Sequence, residues 1–394
     1  MFICSPLSAL NFGLVTNQYG GYGDEGYGTD FEYKADFLPR FTFLLGDSGE
    51  LLLSAGLSLG IKHESFFWFP QLLRSELFYR FGDWGLRLGR MQYADPTGFV
   101  ATGLFDGARV SYNSSLGAFS LGAWYTGLLY KKNGYIIMTS ADQEAWDAPL
   151  DYGDFFKTYF ASRRLLASMD WEHLSVANLF QLKAALTAQM DFSDGQEKYH
   201  SQYLSLKAVI PYKNFTFEMG ASLETAEFEP ALEGKNFNIA YAWNLGIIWE
   251  LPTSFRNRLS LTGHFSGGQT DGITGAFVPV ASLVYGEILK AKPQGITALS
   301  LDYMARLTQV FGMSLSASYF VRNDLGTYTD WPVADSGDKG HFLGTELFAR
   351  LVWSPFSDLQ LNLGGGVFLP QLGDAGPKEK PGWRIELSAI LAIY

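Results

Sequence analysis

The feature that most constrains this chain is a long alternation of large apolar side chains with small or polar ones, clearest at Asn236–Leu251. Every second position from Phe237 to Leu251 is aromatic or large and aliphatic, whereas the positions between are mostly Asn, Ala, Gly or Glu. Successive side chains of a strand point to opposite faces, so one face is apolar throughout. About 14 alternating residues with aromatics near both ends are typical of a tilted strand that crosses a bilayer. The stretch therefore predicts a membrane-spanning strand.

The same two-sided pattern recurs along the chain, for example at Phe31–Phe43 and Leu51–Ile61. It predicts about 18 strands, with 16 as the alternative, because bacterial single-chain barrels have even strand numbers. The predicted strands lie near 5–17, 31–43, 51–61, 71–81, 84–92, 105–113, 117–130, 158–171, 175–191, 199–212, 214–228, 236–251, 257–266, 296–309, 312–323, 341–353, 357–369 and 382–394.

Connections between these strands alternate in length. Tight turns contrast with long links near 18–30, 131–157, 267–295 and 324–340. Short periplasmic turns and long extracellular loops produce this asymmetry in outer-membrane barrels. We therefore expect residues 1–394 to form one all-β domain, a transmembrane antiparallel β-barrel, in a bacterial outer membrane.

Composition excludes several other classes of protein. No run of about 18 apolar residues would make a spanning helix. The net charge of −11 and the lack of Lys/Arg clusters argue against a nucleic-acid partner. One cysteine permits no intrachain disulfide, and the five histidines show no metal-ligand spacing. We expect no cofactor, metal or catalytic residue, and an export signal outside this sequence because residues 1–10 lack a basic start and an apolar core.

One apolar segment, Gly275–Ala291, is ambiguous. Counting it as a strand would make the strand number odd, so we assign it to the loop 267–295. Since it is too apolar to extend freely into water, we expect it to fold into the lumen or across the mouth as a partial plug. The alternative is an ordinary strand.

The polar face of the strands should line a lumen, and its charges should carry the function. Basic candidates fall on neighbouring strands, and acidic candidates about half a circumference away. The first set is Lys62, Arg74, Arg80, Arg87 and Arg109, and the second is Glu218, Glu224 and Glu250. Separated sectors predict a field across the pore. The alternative is that these residues form paired wall networks without a role in selectivity.

These features predict a channel for passive diffusion of small hydrophilic or charged solutes. Replacing Arg74, Arg80 and Arg109 by Gln should shift the reversal potential towards cations. The expected partners are outer-membrane lipid, small solutes or ions, and the barrel-assembly machinery during biogenesis. The sequence leaves open whether the chain is a monomer or a trimer.

Two short segments carry a family resemblance: LRLGR at Leu86–Arg90 and FDGARV at Phe105–Val110. They resemble a strand-loop-strand segment of alginate-export-type outer-membrane porins, in which R-x-G-R is followed by D-G-x-R. The matching positions are Arg87, Arg90, Asp106, Gly107 and Arg109. The resemblance implies inward arginines along a path for an acidic polysaccharide or a related solute. A substrate-specific, gated uptake or export channel is therefore the alternative function.

Three further readings have less support. His264–Gly267 resembles the H-x-S element of outer-membrane lipid hydrolases, but a polar wall histidine is the competing interpretation. Gly21–Gly26 fits G-x-G-x-x-G, yet no helix is predicted after it, which argues against dinucleotide binding. A structural or adhesive surface barrel is the remaining possibility.

Overall fold

A computed structural model of the chain describes residues 9–26, 28–230, 234–253, 255–269, 274–281, 284–333, 339–376 and 379–393. These residues form 18 strands. The strands are β1 Ala9–Asp24, β2 Thr29–Leu45, β3 Gly49–Lys62, β4 Ser65–Phe81, β5 Trp84–Ala94, β6 Thr102–Ser114, β7 Gly117–Tyr125, β8 Arg164–Val176, β9 Phe180–Asp191, β10 Lys198–Tyr212, β11 Phe215–Glu229, β12 Asn236–Glu250, β13 Arg258–Ser266, β14 Ile296–Arg306, β15 Phe311–Arg322, β16 Phe342–Phe356, β17 Leu359–Leu369 and β18 Gly382–Ile393.

The strands close into a single antiparallel barrel. Each pairs with its neighbours in sequence, and β1 pairs with both β2 and β18, so the ring of strands is closed. The predicted number of 18 strands and the antiparallel barrel class are confirmed. Closure gives most backbone groups of the strands a partner on a neighbouring strand, which a spanning sheet requires.

The longest connections all lie at one end of the barrel, which also carries short links such as 63–64. One end of the barrel, here the turn end, carries the short links 46–48, 82–83, 115–116, 177–179, 213–214, 251–257, 307–310 and 357–358. The other end, here the loop end, carries the long links 126–163, 267–295, 323–341 and 370–381. No helix in the described ranges is long and apolar enough to cross a membrane.

The outer face of the barrel is apolar between two bands of aromatic residues. On β12, Phe237 and Tyr241 near the loop end and Trp249 near the turn end are all exposed. Tyr79, Phe81, Trp84 and Tyr112 extend the band at the turn end. Exposed aromatics in two rings with leucines between them are the surface that a bilayer covers.

The first predicted loop, 18–30, is instead mostly strand. β1 continues through Asp24 and β2 begins at Thr29. Two of its glycines, Gly21 and Gly23, lie on β1 opposite Glu386 and Arg384 of β18, and a Cβ on Gly21 would lie 3.0 Å from the Arg384 guanidinium. The absence of a side chain at these positions leaves room for neighbouring groups inside the barrel. A prediction that treats glycine only as a turn residue does not find this role.

The longest link, residues 126–163, also differs from the prediction. β7 ends at Tyr125 rather than near 130, and three short helices follow: α1 Lys131–Gly134, α2 Ser140–Asp147 and α3 Phe155–Tyr159. The helix α2 has a capping box in which Thr139 and Asp142 each accept a hydrogen bond from the other's backbone N–H.

Candidate solute pathway

The basic side chains predicted on β4–β6 do gather on the inner wall. Arg87 and Arg109 lie opposite each other across β5 and β6. Arg74 and Arg80 share the inward parity of β4. We call Arg74, Arg80, Arg87 and Arg109 the arginine sector. All four lie in the halves of their strands nearer the turn end.

The carboxylates that pair with this sector are buried in the wall, whereas the guanidinium groups reach into the lumen. Glu76 accepts from Arg74 at 2.7 Å and from Arg87 at 3.1 Å, and only 5% of its side chain is exposed. The exposed fractions of Arg74 and Arg87 are 38% and 46%. Asp170 pairs with Arg109 at 3.7 Å, again with the arginine the more exposed partner. The positive ends of these pairs are therefore the more exposed ends on the inner surface.

Lys62 lies apart from the arginine sector. It is at the loop-end tip of β3, where its Nζ is 3.8 Å from Glu32. Spacing along the sequence put Lys62 with the arginines, but the length of the strands separates it from them.

The three predicted acidic residues do not form one exposed sector. Glu218 pairs with Lys207 at 3.1 Å. Glu250 is exposed at the turn end, directly across from Arg258. Glu224 faces inward as predicted but is 0% exposed, because loop residues cover it. The expected acidic half of a transverse field is thus largely paired or sealed.

The segment that covers Glu224 is the ambiguous apolar stretch. Its described parts, 274–281 and 284–291, form no named strand and lie inside the barrel. We call them the strap. Phe277, Val280 and Ile288 are each at most 2% exposed. The placement agrees with the prediction that this stretch folds into the lumen, and burial of its apolar side chains explains it.

One end of the strap is held on β10 and β11. The Val278 N–H donates to Glu224 Oε2 at 2.8 Å, and the Tyr203 hydroxyl donates to the Val278 carbonyl at 2.6 Å. Tyr199 donates a further hydrogen bond to Glu224 at 2.8 Å. These bonds satisfy a carboxylate that would otherwise be costly to bury.

The other end is held on β16 by a single carboxylate, that of Glu346. It accepts hydrogen bonds from the backbone N–H groups of Glu287 at 2.7 Å and of Ile288 and Leu289 at 3.0 Å. Gly286, with φ +83°, turns the chain so that these groups converge, and a Cβ there would lie 2.8 Å from Glu346. Consecutive N–H groups around one anion form a nest.

Two exposed ion pairs accompany this anchor. Arg350 lies 3.4 Å from Glu287, and Lys290 lies 2.7 Å from Glu25. The sequence analysis did not predict that Glu346 anchors the strap or that Gly286 shapes the anchor. The sequence signal that could have indicated this turn is Gly286, which lies within an otherwise apolar segment directly before the charged Glu287.

The residues of the porin-like motif divide between the two faces of the wall. Arg87 and Arg109 face the lumen, but Arg90 and Asp106 have the parity of the exposed Leu88 and Val110. Arg90 binds Asp106 through Nε at 2.8 Å and Nη2 at 2.7 Å and is 4% exposed. This pair stabilises the wall and does not contact the lumen.

The histidine of the hydrolase-like element is not paired with its serine. The Ser266 hydroxyl donates to the Ile296 carbonyl at 3.1 Å and accepts from the Ile296 N–H at 3.0 Å. His264 instead stacks on Tyr285, with ring centroids 4.9 Å apart. A serine hydroxyl bound to backbone on both sides is not activated by a base.

Comparison with known proteins gives structural neighbours. No protein-family model and no curated protein matches the chain. Pseudomonas aeruginosa OccK2 (OpdF) in complex with glucuronate has a TM-score of 0.63 and 12% identity, covering 98% of both chains. OccK5 (OpdH) of the same organism has a TM-score of 0.61 and 12% identity over 98% of this chain and 99% of that one. Pseudomonas aeruginosa OpdK with vanillate has a TM-score of 0.62 and 13% identity, covering 98% of this chain and 99% of that one. At such identities the likeness shows the fold.

Proposed function

We propose that this chain is a bacterial outer-membrane channel through which small hydrophilic solutes, and anions in particular, diffuse down their gradient. The observation that carries the proposal is the arginine sector, whose guanidinium groups reach the lumen while Glu76 and Asp170 stay buried in the wall. The apolar outer face bounded by aromatic bands supports the membrane location. The turn end then faces the periplasm and the loop end faces outward.

The solute class that fits these arginines best is a small carboxylate. A guanidinium presents paired donors that match the two oxygens of a carboxylate. Glucuronate and vanillate, present in two of the neighbouring structures, both carry this group. A uronic acid also connects with the porin-like motif at Arg87 and Arg109. An acidic saccharide is therefore the substrate we propose for a specific channel, and the strap is the observation that favours gating.

Single-channel recording tests the proposal, with Arg87 and Arg109 replaced together by Gln. A unit charge about 5 Å from a passing ion in water-like surroundings contributes about 0.8 kcal/mol, a factor of about 4. Removing two such charges should lower the anion-to-cation permeability ratio by at least about 16-fold at low salt, the product of two factors of about 4, and by less at high salt.

The control replaces Lys157 and Lys235 by Gln, which removes the same charge from exposed loop positions. Its permeability ratio should equal that of the unmodified channel. Glucuronate should also reduce the current more than glucose does. Unchanged selectivity in the arginine variant would remove the arginine sector from the mechanism, and lack of any conductance would count against a channel.

A further inference from the structure

One part of the barrel wall is closed by side chains instead of strand pairing. β4 pairs with β3 as far as Ser65, but its pairing with β5 ends at Ser75 opposite Arg90. The edge of β4 at residues 66–72 therefore has no strand beside it. Pro70 lies on this edge, where its missing N–H removes no ladder hydrogen bond. We call this gap between β4 and β5 the seam.

Side chains replace the missing ladder along the seam. The Tyr152 hydroxyl accepts from the Trp68 N–H and donates to the Trp68 carbonyl, both at 2.9 Å. The Tyr159 hydroxyl donates to the Pro70 carbonyl at 2.6 Å, and Arg90 Nη1 donates to the Leu72 carbonyl at 2.6 Å. The backbone carbonyls of the alternate residues Trp68, Pro70 and Leu72 thus have hydrogen-bond partners, as buried backbone groups require.

Packed rings fill the seam from the lumen side outwards. Phe69, whose side chain has the inward parity, contacts Tyr130 with ring centroids 4.1 Å apart. Tyr130 contacts Tyr159 at 4.9 Å, and Tyr159 contacts Phe155 at 4.8 Å. Phe69, Tyr130 and Tyr159 are all buried. The loop 126–163 is therefore part of the wall itself.

The outer side of this filling is apolar and exposed. Phe156 is 75% exposed, and Tyr152 stacks on the exposed Trp68 with ring centroids 5.7 Å apart. Trp68 belongs to the aromatic band at the loop end. On the neighbouring strand β5, the outward positions near that level are Gln92 and Ala94, so the strand itself contributes no aromatic residue there. Tyr152 and Phe156 extend the band across the gap.

We propose that segment 152–160 is a membrane-contacting element, with Phe156 inserted among the lipids at the outer interface of the bilayer. The proposal rests on the membrane location given above, because the patch is continuous with the apolar outer face. An amphipathic turn that contributes rings to the interface is held there by burial of apolar surface. Lipid contact then holds loop 126–163 closed over the seam.

Site-directed spin labelling tests the proposal in vesicles of outer-membrane phospholipid. Cys4→Ser leaves a cysteine-free background, in which Phe156→Cys, Trp243→Cys and Glu144→Cys are labelled separately. Trp243 lies on the apolar outer face, and Glu144 is exposed on α2 of the same loop. The measurement is the ratio of collision rates with oxygen and with a water-soluble nickel chelate.

The proposal expects the ratio at 156 to be several-fold above that at 144 and below that at 243, because Trp243 lies at the middle of β12 and Phe156 at the interface. A ratio at 156 equal to that at 144, with 243 still lipid-like, would overturn this inference and leave the channel unaffected. A water-like ratio at 243 as well would overturn the membrane location and this inference together.

Discussion

The carboxylate of Glu346 should hold one end of the strap in its position in the lumen, and Glu346→Gln should release that end. A glutamine has one acceptor oxygen, and its amide group would face N–H donors. It therefore loses either the bond to Glu287 or those to Ile288 and Leu289, and the bonds that remain are no longer charge-assisted.

The expected size of this effect follows from those contacts. Hydrogen bonds to a charged group contribute about 1.5–3 kcal/mol each, and neutral ones about 1 kcal/mol. Losing one or two charged bonds costs about 1.5–6 kcal/mol, and the smaller desolvation of a neutral amide offsets part of this. A net loss of about 2–3 kcal/mol would raise the ratio of released to anchored strap by about 30- to 150-fold.

Single-channel conductance in planar bilayers is the measurement. The Glu346→Gln channel should show a larger conductance or frequent long openings to a larger level. The control is Glu287→Gln, which removes a half-exposed partner of Arg350 on the same strap. An exposed pair contributes at most about 1 kcal/mol, so this variant should resemble the unmodified channel. Glu346→Gln and Glu346→Ala channels with unchanged conductance, in protein that retains the compact barrel on gels, would refute the anchoring role.

Two further predictions concern loop 126–163. Arg164→Met should cost about 3–5 kcal/mol in the free energy of unfolding, since Arg164 is fully buried between Asp142 at 2.5 Å and Asp191 at 2.8 Å. The measurement is a denaturant titration of both variants. The adjacent Arg163→Met, which removes an exposed pair with Asp194, should cost at most about 1 kcal/mol. Equal losses of stability in the two variants would contradict the argument. Burial is the main cause, and the neighbouring Tyr159 and Tyr152 are lesser causes, of a rise in the pKa of Tyr130 from 10.0 to about 12. Because the pKa is higher in the folded state, the contribution of the Tyr130 hydroxyl to stability is complete below pH 10 and is lost as pH rises towards 12. Hydrogen exchange in the loop should therefore accelerate over that range, and less so in Tyr130→Phe.

The strands could be predicted because lipid acts on each residue separately. β12 was expected at 236–251 and extends from Asn236 to Glu250. Every second residue there must be apolar whatever its neighbours are, so the sequence alone carries the signal. The same reasoning failed at 18–30, where the glycines of β1 respond to Arg384 on β18, at the far end of the chain.

The interior could be predicted only as far as the direction of each side chain. Parity placed Arg74, Arg87 and Glu224 on the inner wall correctly. It could not show that Glu76 is shared by two arginines, because the pairing depends on distances across strands. Nor could it show that Glu224 is covered by Val278, which arrives from a different loop.

The charge that a solute meets is therefore decided by what the loops and pairings leave uncovered. Glu224 and Glu346 both point inward, and both carboxylates accept hydrogen bonds from backbone N–H groups of the strap. Anchoring the strap removes two negative groups from the lumen surface, while the arginine sector nearer the turn end stays exposed. On the proposed function, the contacts that hold the strap should therefore also make the lumen more favourable to anions. Release of the Glu346 end of the strap in Glu346→Gln should widen the channel, whereas Val278 at the other end keeps Glu224 covered, so that conductance rises while the preference for anions is retained.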